Sequence, residues 1–222
     1  TGDGTFSTTA TTAISQIKVT ATDEFTCVNE ATHDIEVMVA PQVSVSAEKT
    51  DVCQGENANI TAAITPVANG NNTSFSWSKE NDQSFSSTEA VITPPMSNTG
   101  EGTHKFTVTG SEVHNSQKFT GESATCSASA EIVIYERPNP VVDITGVATV
   151  CPDNTVNLSA KNKKNGVIVN SWEWYKGSIA DANKLNKNNS FITTDPIKQS
   201  STFHAEATSN YGCKGSSEHN IN

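Results

Sequence analysis

Residues 43–64, VSVSAEKTDVCQGENANITAAI, decide the fold, because residues 141–162, VVDITGVATVCPDNTVNLSAKN, repeat their pattern. Each copy reads as a strand, a turn that contains a cysteine, and a second strand in which apolar and polar residues alternate. Such alternation is typical of a β-strand with one buried face. Cys53 and Cys151 occupy the same place in the two copies. The sequence therefore predicts a chain built from repeated β units.

An aromatic strand follows each copy at nearly the same distance. Trp77, in FSWSK, comes 24 residues after Cys53, and Trp174, in WEWYK, comes 23 residues after Cys151. This constant spacing indicates that the two tryptophans occupy equivalent positions, and we expect both in the core.

The second half of the unit also recurs, and it divides the chain into domains. HKFTVTG from His104 and STFHAEATS from Ser201 are alternating segments that each precede a cysteine, and residues 13–41 fit the same half. The predicted domains are residues 1–40 as the C-terminal half of a truncated domain, residues 41–137, and residues 138–222. In the middle domain an insertion near residues 111–122 predicts an extended hairpin or loop.

The cysteines follow the same repeat. Each complete unit has one cysteine before its second strand and one after its penultimate strand, which predicts the disulfides Cys53–Cys126 and Cys151–Cys213. Cys27 is left without a partner, which we expect in the front half of its own unit. A zinc site or a catalytic thiol is a weaker interpretation, because no CxxC pair or nearby histidine has ligand spacing. Disulfides also predict an extracellular, cell-surface location.

Short alternating strands, two cysteines and a tryptophan on the third strand of each unit describe an immunoglobulin-like β-sandwich. The first cysteine precedes the second strand instead of lying inside it, so we expect each disulfide to tie loops near one pole. The fold class predicted is all-β, with tandem sandwiches. The predicted core residues are Ile60, Ala62, Trp77, Phe106 and Val108, and in the later unit Leu158, Trp174, Phe203 and Ala205.

The cysteine turn, the alternating strand, the W-x-x strand, the F-x-V-x-V/A-T strand and the Y-G-C sequence resemble a known family across essentially the whole chain. They resemble the Ig-like and PKD-like repeats of giant Bacteroidota-type surface adhesins, including those of the gliding-motility kind that the type IX system exports. The resemblance implies extracellular stalks and fibres, some with adhesive tips. It supplies no binding residue, because the matching residues belong to the scaffold: Cys53, Cys126, Cys151, Cys213, Trp77, Trp174, Tyr211 and Gly212.

Charge and motifs exclude several functions. A net charge of −10 opposes binding to nucleic acid or anionic lipid, and no apolar run has the ~20 residues of a membrane span. The sequence contains no G-x-S-x-G, H-E-x-x-H or phosphate-binding motif, so we expect no enzyme activity and no cofactor. Loops around Asp82 and Asp181 could ligate calcium, although neither has alternating oxygen ligands.

Three aromatic residues are candidates for ligand binding. Phe119 lies in the insertion among polar residues, and loops at the poles of a sandwich often carry binding residues. Trp172 and Tyr175 lie on the aromatic strand, where an exposed ring could stack on a sugar. The alternatives are a plain hairpin for the insertion and a packing role for Trp172.

The leading hypothesis is a structural or adhesive spacer whose partners are neighbouring repeats of the same chain. One alternative is a module that binds surface glycans or proteins. Another is a filament subunit, in which another copy of the chain donates strands that complete residues 1–40. A further alternative is an accessory region of a secreted hydrolase.

Overall fold

A computed structural model describes residues 15–66, 70–96 and 102–222 of the 222-residue chain. These residues form sixteen β-strands and one 3₁₀ turn, Asp181–Asn183, so the predicted all-β class is confirmed. The strands are β1 (Ser15–Thr22), β2 (Val28–Ile35), β3 (Gln42–Ala47), β4 (Asp51–Cys53), β5 (Ile60–Thr65), β6 (Gly70–Lys79), β7 (Asp82–Ser87), β8 (Val91–Ile92), β9 (Gly102–Asn115), β10 (Ser123–Arg137), β11 (Val142–Thr145), β12 (Asn157–Asn162), β13 (Val169–Lys176), β14 (Phe191–Thr193), β15 (Ser201–Ser209) and β16 (Lys214–Ile221).

The strands pair into five sheets, and the chain divides into two compact units. The sheet orders are β1-β2, β3-β5-β8, β4-β10-β9-β6-β7, β11-β12-β14 and β13-β15-β16. The first unit contains the described residues of 15–46, 60–92 and 105–132, and the second contains those of 47–59, 93–104 and 133–222. Among the described residues, no helix is both long and apolar enough to cross a membrane.

The first unit buries the residues that its alternating strands predict. Trp77 on β6 lies opposite Val108 on β9, and its ring N–H donates a hydrogen bond of 2.8 Å to the carbonyl of Glu89. The ring of Phe85 meets the ring of Phe106 edge to face, with 5.5 Å between centroids. The predicted core residues of this unit are confirmed as buried: Ile60, Ala62, Trp77, Phe106 and Val108.

The second unit contains a core to which two three-stranded sheets contribute, as in a β-sandwich. Trp174 on β13 lies opposite Ala205 on β15, and its ring N–H donates a hydrogen bond of 2.8 Å to the carbonyl of Asn189. This bond matches that of the first tryptophan, which supports the repeat alignment. The predicted core residues of this unit are confirmed as buried: Leu158, Trp174, Phe203 and Ala205.

The predicted disulfide pairing is wrong. Cys53 is bonded to Cys213, with 5.4 Å between their Cα atoms, whereas Cys126 and Cys151 are free cysteines. The reason lies in β10, whose last residue, Arg137, pairs with Cys53 in a short parallel ladder. Cys126 is the fourth residue of the same strand, so about 36 Å of extended chain separates it from that position. Cys27 is free and exposed.

Candidate functional site at a disulfide junction

Two turns of the second unit bring the bonded cysteines together. In the turn that Cys53 begins, the carbonyl of Cys53 accepts a hydrogen bond of 2.8 Å from the N–H of Glu56. Gly55 has a φ of +86°, a conformation that glycine adopts without a steric cost. The short strand β4 holds this turn beside the end of β10, because its residues pair with Tyr135, Glu136 and Arg137.

Cys213 ends the second turn, SNYGC, which follows β15. The N–H of Ser209 donates to the carbonyl of Cys213 at 2.8 Å, and the Ser209 hydroxyl oxygen accepts the N–H of Cys213 at 3.1 Å. Gly212 has a φ of +83°. This closed turn buries Cys213 while it leaves the ring of Tyr211, two residues earlier, 51% exposed.

Arg137 is the central side chain of this junction, which we define as Cys53, Cys213, Arg137, Tyr135 and Tyr211. Its guanidinium carbon lies 4.1 Å from the ring centroid of Tyr211 and 5.0 Å from that of Tyr135. Its Nη2 also pairs with a carboxylate oxygen of Asp51 at 2.5 Å. Partly exposed cation–π contacts contribute about 0.5–1 kcal/mol each, so they assist the covalent bond in holding the two turns together.

Sequence reasoning missed Arg137, although a signal existed. It is the only arginine of the sequence, and it directly precedes the proline-rich segment PNP at 138–140. Beside it lies a groove of about 540 Å³, lined by Arg137, Pro138, Asn165, Gly166, Val167, Ser209, Asn210 and Tyr211. The lining residues offer amide, hydroxyl and guanidinium groups, which suit hydrogen bonding to a polar ligand more than acid–base catalysis.

The aromatic strand offers less exposed surface than a stacking platform needs. Tyr175 is only 4% exposed, and its hydroxyl donates a hydrogen bond of 2.9 Å to Glu173. Burial, followed by this hydrogen bond, raises the pKa of Tyr175 to about 12. Trp172 is half-buried and packs against the core of the second unit. Both rings therefore serve the packing of the strand in this fold.

The insertion lies in the first unit, where it lengthens β9 to Asn115 and continues as a turn before β10. The carboxylate of Glu36 accepts hydrogen bonds from the Ser116 hydroxyl and from the N–H groups of Gln117 and Lys118, the last two at 3.2 and 3.3 Å. The Ser116 hydrogen bond is the main reason why the pKa of Glu36 is lowered. We call these three hydrogen bonds to the Glu36 carboxylate the Glu36 anchor. Phe119, in the same turn, is half-buried.

Removal of this anchor will loosen the turn of the insertion. We expect Glu36→Ala to speed amide hydrogen exchange most at Gln117, because that amide loses its acceptor, whereas the Lys118 N–H also donates to the Ser116 hydroxyl at 3.1 Å. Since the pKa of Glu36 is lowered in the folded state, its stabilising effect is present above the ordinary glutamate pKa. It is lost as the pH falls through the lower folded-state value.

Glu30→Ala is the matched control for this experiment. Glu30 pairs with Lys18 at 2.6 Å on the β1–β2 hairpin, and among the described residues it forms no hydrogen bond with the insertion. We expect it to leave the exchange of Gln117 and Lys118 unchanged. Equal protection of both amides in Glu36→Ala and in the unsubstituted chain would contradict the anchor.

The calcium and strand-donation hypotheses stay predictions. In the part of the chain that the structure describes, no group of three or more His, Cys, Asp or Glu residues could hold a metal ion. The Asp82 carboxylate accepts hydrogen bonds from Ser84, and Asp181 begins the 3₁₀ turn. β1 and β2 form a separate two-stranded sheet, while residues 1–14 lie outside the described residues.

Comparison with known proteins supports the immunoglobulin-like class. Residues 138–222 match the model of a family described as "Ig-like domain CHU_C associated". A comparison with curated protein sequences finds no match. The predicted immunoglobulin-like fold is therefore confirmed, and the part that matches contains one of the two bonded cysteines, Cys213.

Several solved structures are similar to the chain at low sequence identity. Three N-terminal domains of the outer capsid protein Hoc of bacteriophage RB49 match with a TM-score of 0.35 and 18% identity, over 82% of this chain and 59% of that one. The fibronectin(III)-like modules of Clostridium thermocellum CbhA match with a TM-score of 0.38 and 12% identity, over 80% and 93%. The amphioxus IgVJ-C2 molecule matches with a TM-score of 0.31 and 10% identity, over 77% and 98%. The chain thus spans about three fifths of the Hoc structure.

Proposed function

We propose that the chain is a disulfide-stapled structural segment of a long extracellular surface protein, in which the repeats act as spacers. The observation that carries this proposal is the Cys53–Cys213 disulfide, whose cysteines belong to consecutive repeats of the sequence. A bond of this kind persists in an oxidising compartment such as the cell exterior. The immunoglobulin-like sandwich, which is common in cell-surface domains, supports the same role.

The proline-rich segment at 138–140 is held on two sides within the second unit, which supports a structural role. The carbonyl of Arg137 accepts a hydrogen bond of 2.9 Å from the N–H of Gln54, and the Asn139 side chain donates to the carbonyl of Gln54 at 3.2 Å. On the other side, a Cβ atom at Gly215 would lie 1.8 Å from the carbonyl oxygen of Pro140, so β16 packs directly on the linker. Proline at this position also fixes its own φ angle.

Stretching of single molecules tests the spacer function. When the oxidised chain is pulled from its two termini, the segment between Cys53 and Cys213 should stay out of the load path, because the disulfide closes it into a loop. With a sequence separation of 160, reduction should release about 560 Å of additional contour length.

Cys126→Ser is the matched control for stretching, because Cys126 is free and its substitution leaves the bridge intact. We expect this variant to behave as the unsubstituted chain does, and Cys53→Ser to extend fully without reductant. A fully extensible oxidised chain would contradict a stapled spacer.

The finer role is also a proposal. We infer that the parent is a surface adhesin of the Bacteroidota type, on the gliding-motility pattern of type IX export, because the repeat motifs resemble that family. Neighbouring repeats of the same chain are the proposed partners. Neither enzyme activity nor nucleic-acid binding is proposed, since the net charge of −10 opposes the latter.

Binding of a surface glycan is the second candidate, and one observation favours it. The half-exposed ring of Tyr211 borders the polar groove, where aromatic stacking and amide hydrogen bonds could act together on a sugar. A glycan array, with Tyr211→Ala as the variant, tests this candidate. Binding that the substitution abolishes would support an adhesive role for the same segment.

A further inference from the structure

The groove beside Arg137 has a lining that suits a negatively charged ligand. Arg137 is its one charged residue, and none of the described residues that line it is an aspartate or a glutamate. The chain as a whole has a net charge of −10, so a lining with a positive charge and no carboxylate departs from the overall composition. The charge nearest to a bound ligand is therefore positive, which favours an anion.

The guanidinium of Arg137 keeps one nitrogen available to a ligand. Nε and Nη2 both bind the same oxygen of Asp51, Oδ1, at 2.6 and 2.5 Å. Within the described part of the chain, Nη1 donates to no acceptor. Because the guanidinium carbon lies 4.1 Å from the ring centroid of Tyr211, the ring packs against the group, and the N–H donors point outward in the guanidinium plane. A carboxylate in that plane can accept a charge-assisted hydrogen bond from Nη1.

Ser209 supplies a second donor to the groove, although its side chain is only 3% exposed. Its hydroxyl oxygen accepts the N–H of Tyr211 at 3.3 Å and the N–H of Cys213 at 3.1 Å. These two contacts occupy both lone pairs of the oxygen. The hydroxyl hydrogen has no acceptor among the described residues, so toward a ligand this group acts as a donor.

Two exposed asparagines, Asn165 and Asn210, add amide groups to the lining. Each amide offers both a donor and an acceptor, as the hydroxyl groups of a sugar require. Gly166, which also lines the groove, has a φ of +77°, and a Cβ atom there would meet nothing within 4 Å. The space beside Asn165 is therefore open to a ligand.

We propose that this groove binds the carboxylate of an acidic sugar, such as a uronic or sialic acid, at the end of a glycan. The inference rests on the second candidate of the proposed function, glycan binding, and names the class of glycan. An acidic sugar carries on one rigid ring a carboxylate for Nη1 of Arg137 and hydroxyl groups for the amides. The exposed part of the Tyr211 ring remains for its C–H groups.

A terminal acidic sugar fits these groups better than an acidic peptide or a polyanion does. A peptide carries its carboxylate on a flexible side chain, and immobilising that side chain costs entropy. A polyanion would meet the net charge of −10, whereas a single terminal charge is screened from charges more than about 8 Å away at physiological ionic strength.

Titration of the isotope-labelled, oxidised chain, followed by nuclear magnetic resonance, tests the proposal. The acidic probes are methyl glucuronide and sialyllactose, and the neutral probes are their carboxyl methyl esters. We expect both acids to shift the amide signals of Gly166 and Ser209 in a saturable way. The esters should bind about tenfold more weakly or worse, because they lose a hydrogen bond to a charged group. N-acetylglutamate amide is the peptide probe, and we expect it to bind more weakly than either acid.

Asn165→Asp is the variant that tests the position of the carboxylate. Arg137→Gln would remove the donor but also the cation–π contacts of the junction, whereas Asn165→Asp changes one exposed side chain to a carboxylate of the same shape. We expect it to weaken both acids about tenfold or more through like-charge repulsion. Asn188→Asp is the matched control, because it makes the same change at an exposed residue outside the groove and should leave binding unchanged.

Asp51→Asn tests the guanidinium itself. The variant keeps an oxygen acceptor for Nε and Nη2 of Arg137 but removes the negative charge beside them. We expect both acids to bind several-fold more tightly, and their esters to bind as before, because the positive charge is no longer neutralised.

The results separate this inference from the proposed functions. Equal binding of the acids and their esters would overturn the inference but leave the glycan candidate. The inference would also fail if Asn165→Asp or Asp51→Asn left the acids unaffected, or if N-acetylglutamate amide bound more tightly than the acidic sugars. If no sugar bound, the glycan candidate would fail as well, while the stapled spacer would stand, since stretching tests it separately.

Discussion

Cys53→Ser will lower the free energy of unfolding by about 5 kcal/mol, if the disulfide acts by restricting the unfolded chain. The bridge has a sequence separation of 160, and the entropy that a cross-link removes from the unfolded state grows with the logarithm of the loop length. We expect a large shift of the urea midpoint under oxidising conditions. The substituted residue is half-buried, so little packing is lost with the sulfur.

Controls for this prediction come from the free cysteines. Cys126→Ser and Cys151→Ser should leave the midpoint nearly unchanged, because neither cysteine is part of a bridge in the monomer. A comparison under reducing conditions should bring Cys53→Ser and the unsubstituted chain close together. If Cys126→Ser cost as much as Cys53→Ser, the pairing within repeats would be correct instead.

The strands and cores could be predicted from the sequence because they depend on local patterns. Alternation along residues 60–64 and 156–160 marks the buried face of a strand whatever its neighbours are. Trp77 and Trp174 are both buried, and each donates its ring N–H to a backbone carbonyl. Local sequence holds this information, since the period of a strand decides which side chains face the core.

The disulfide pairing could not be predicted in the same way. Repeat alignment showed which cysteines are equivalent, but a bond depends on which strand ends are neighbours in space. The deciding contact is the parallel pairing of β4 with the end of β10, which places Arg137 beside Cys53. A ladder of three residue pairs between distant segments leaves no periodic signal in the sequence.

In the candidate site, too, the local motif could be predicted from the sequence but the contacts between distant segments could not. The aromatic residue two positions before Cys213 was recognised as part of a motif, but its contact with Arg137 was not, because the two residues are far apart in the sequence. Tyr175 was a candidate for an exposed ring, but the backbone of Lys184 forms a single antiparallel β-bridge with that of Tyr175. The Lys184 side chain also forms an ion pair with the neighbouring Glu173. The segment after β13 therefore covers the face of the strand that alternation alone assigns to solvent.

Trp174→Ala will destabilise the second unit by about 3–5 kcal/mol, the usual cost of removing a fully buried aromatic side chain. The ring is fully buried in the core that both sheets share, so alanine would leave a cavity. The carbonyl of Asn189 would also lose its donor. Urea unfolding followed by far-ultraviolet circular dichroism measures the effect.

Two further variants separate the contributions of the buried ring and of its hydrogen bond to this loss of stability. Trp174→Phe keeps most of the ring but removes the N–H, so we expect a smaller loss than for Trp174→Ala, from the lost hydrogen bond to Asn189 together with the smaller side chain. Trp172→Ala, two residues earlier on the same strand, should cost less than Trp174→Ala, because Trp172 is only half-buried. Trp172 and Trp174 lie on the same face of β13, so if Trp172→Ala were the more damaging of the two alanine variants, Trp172 would be the central core residue of that face. The assignment of Trp174 as the counterpart of Trp77 would then fail.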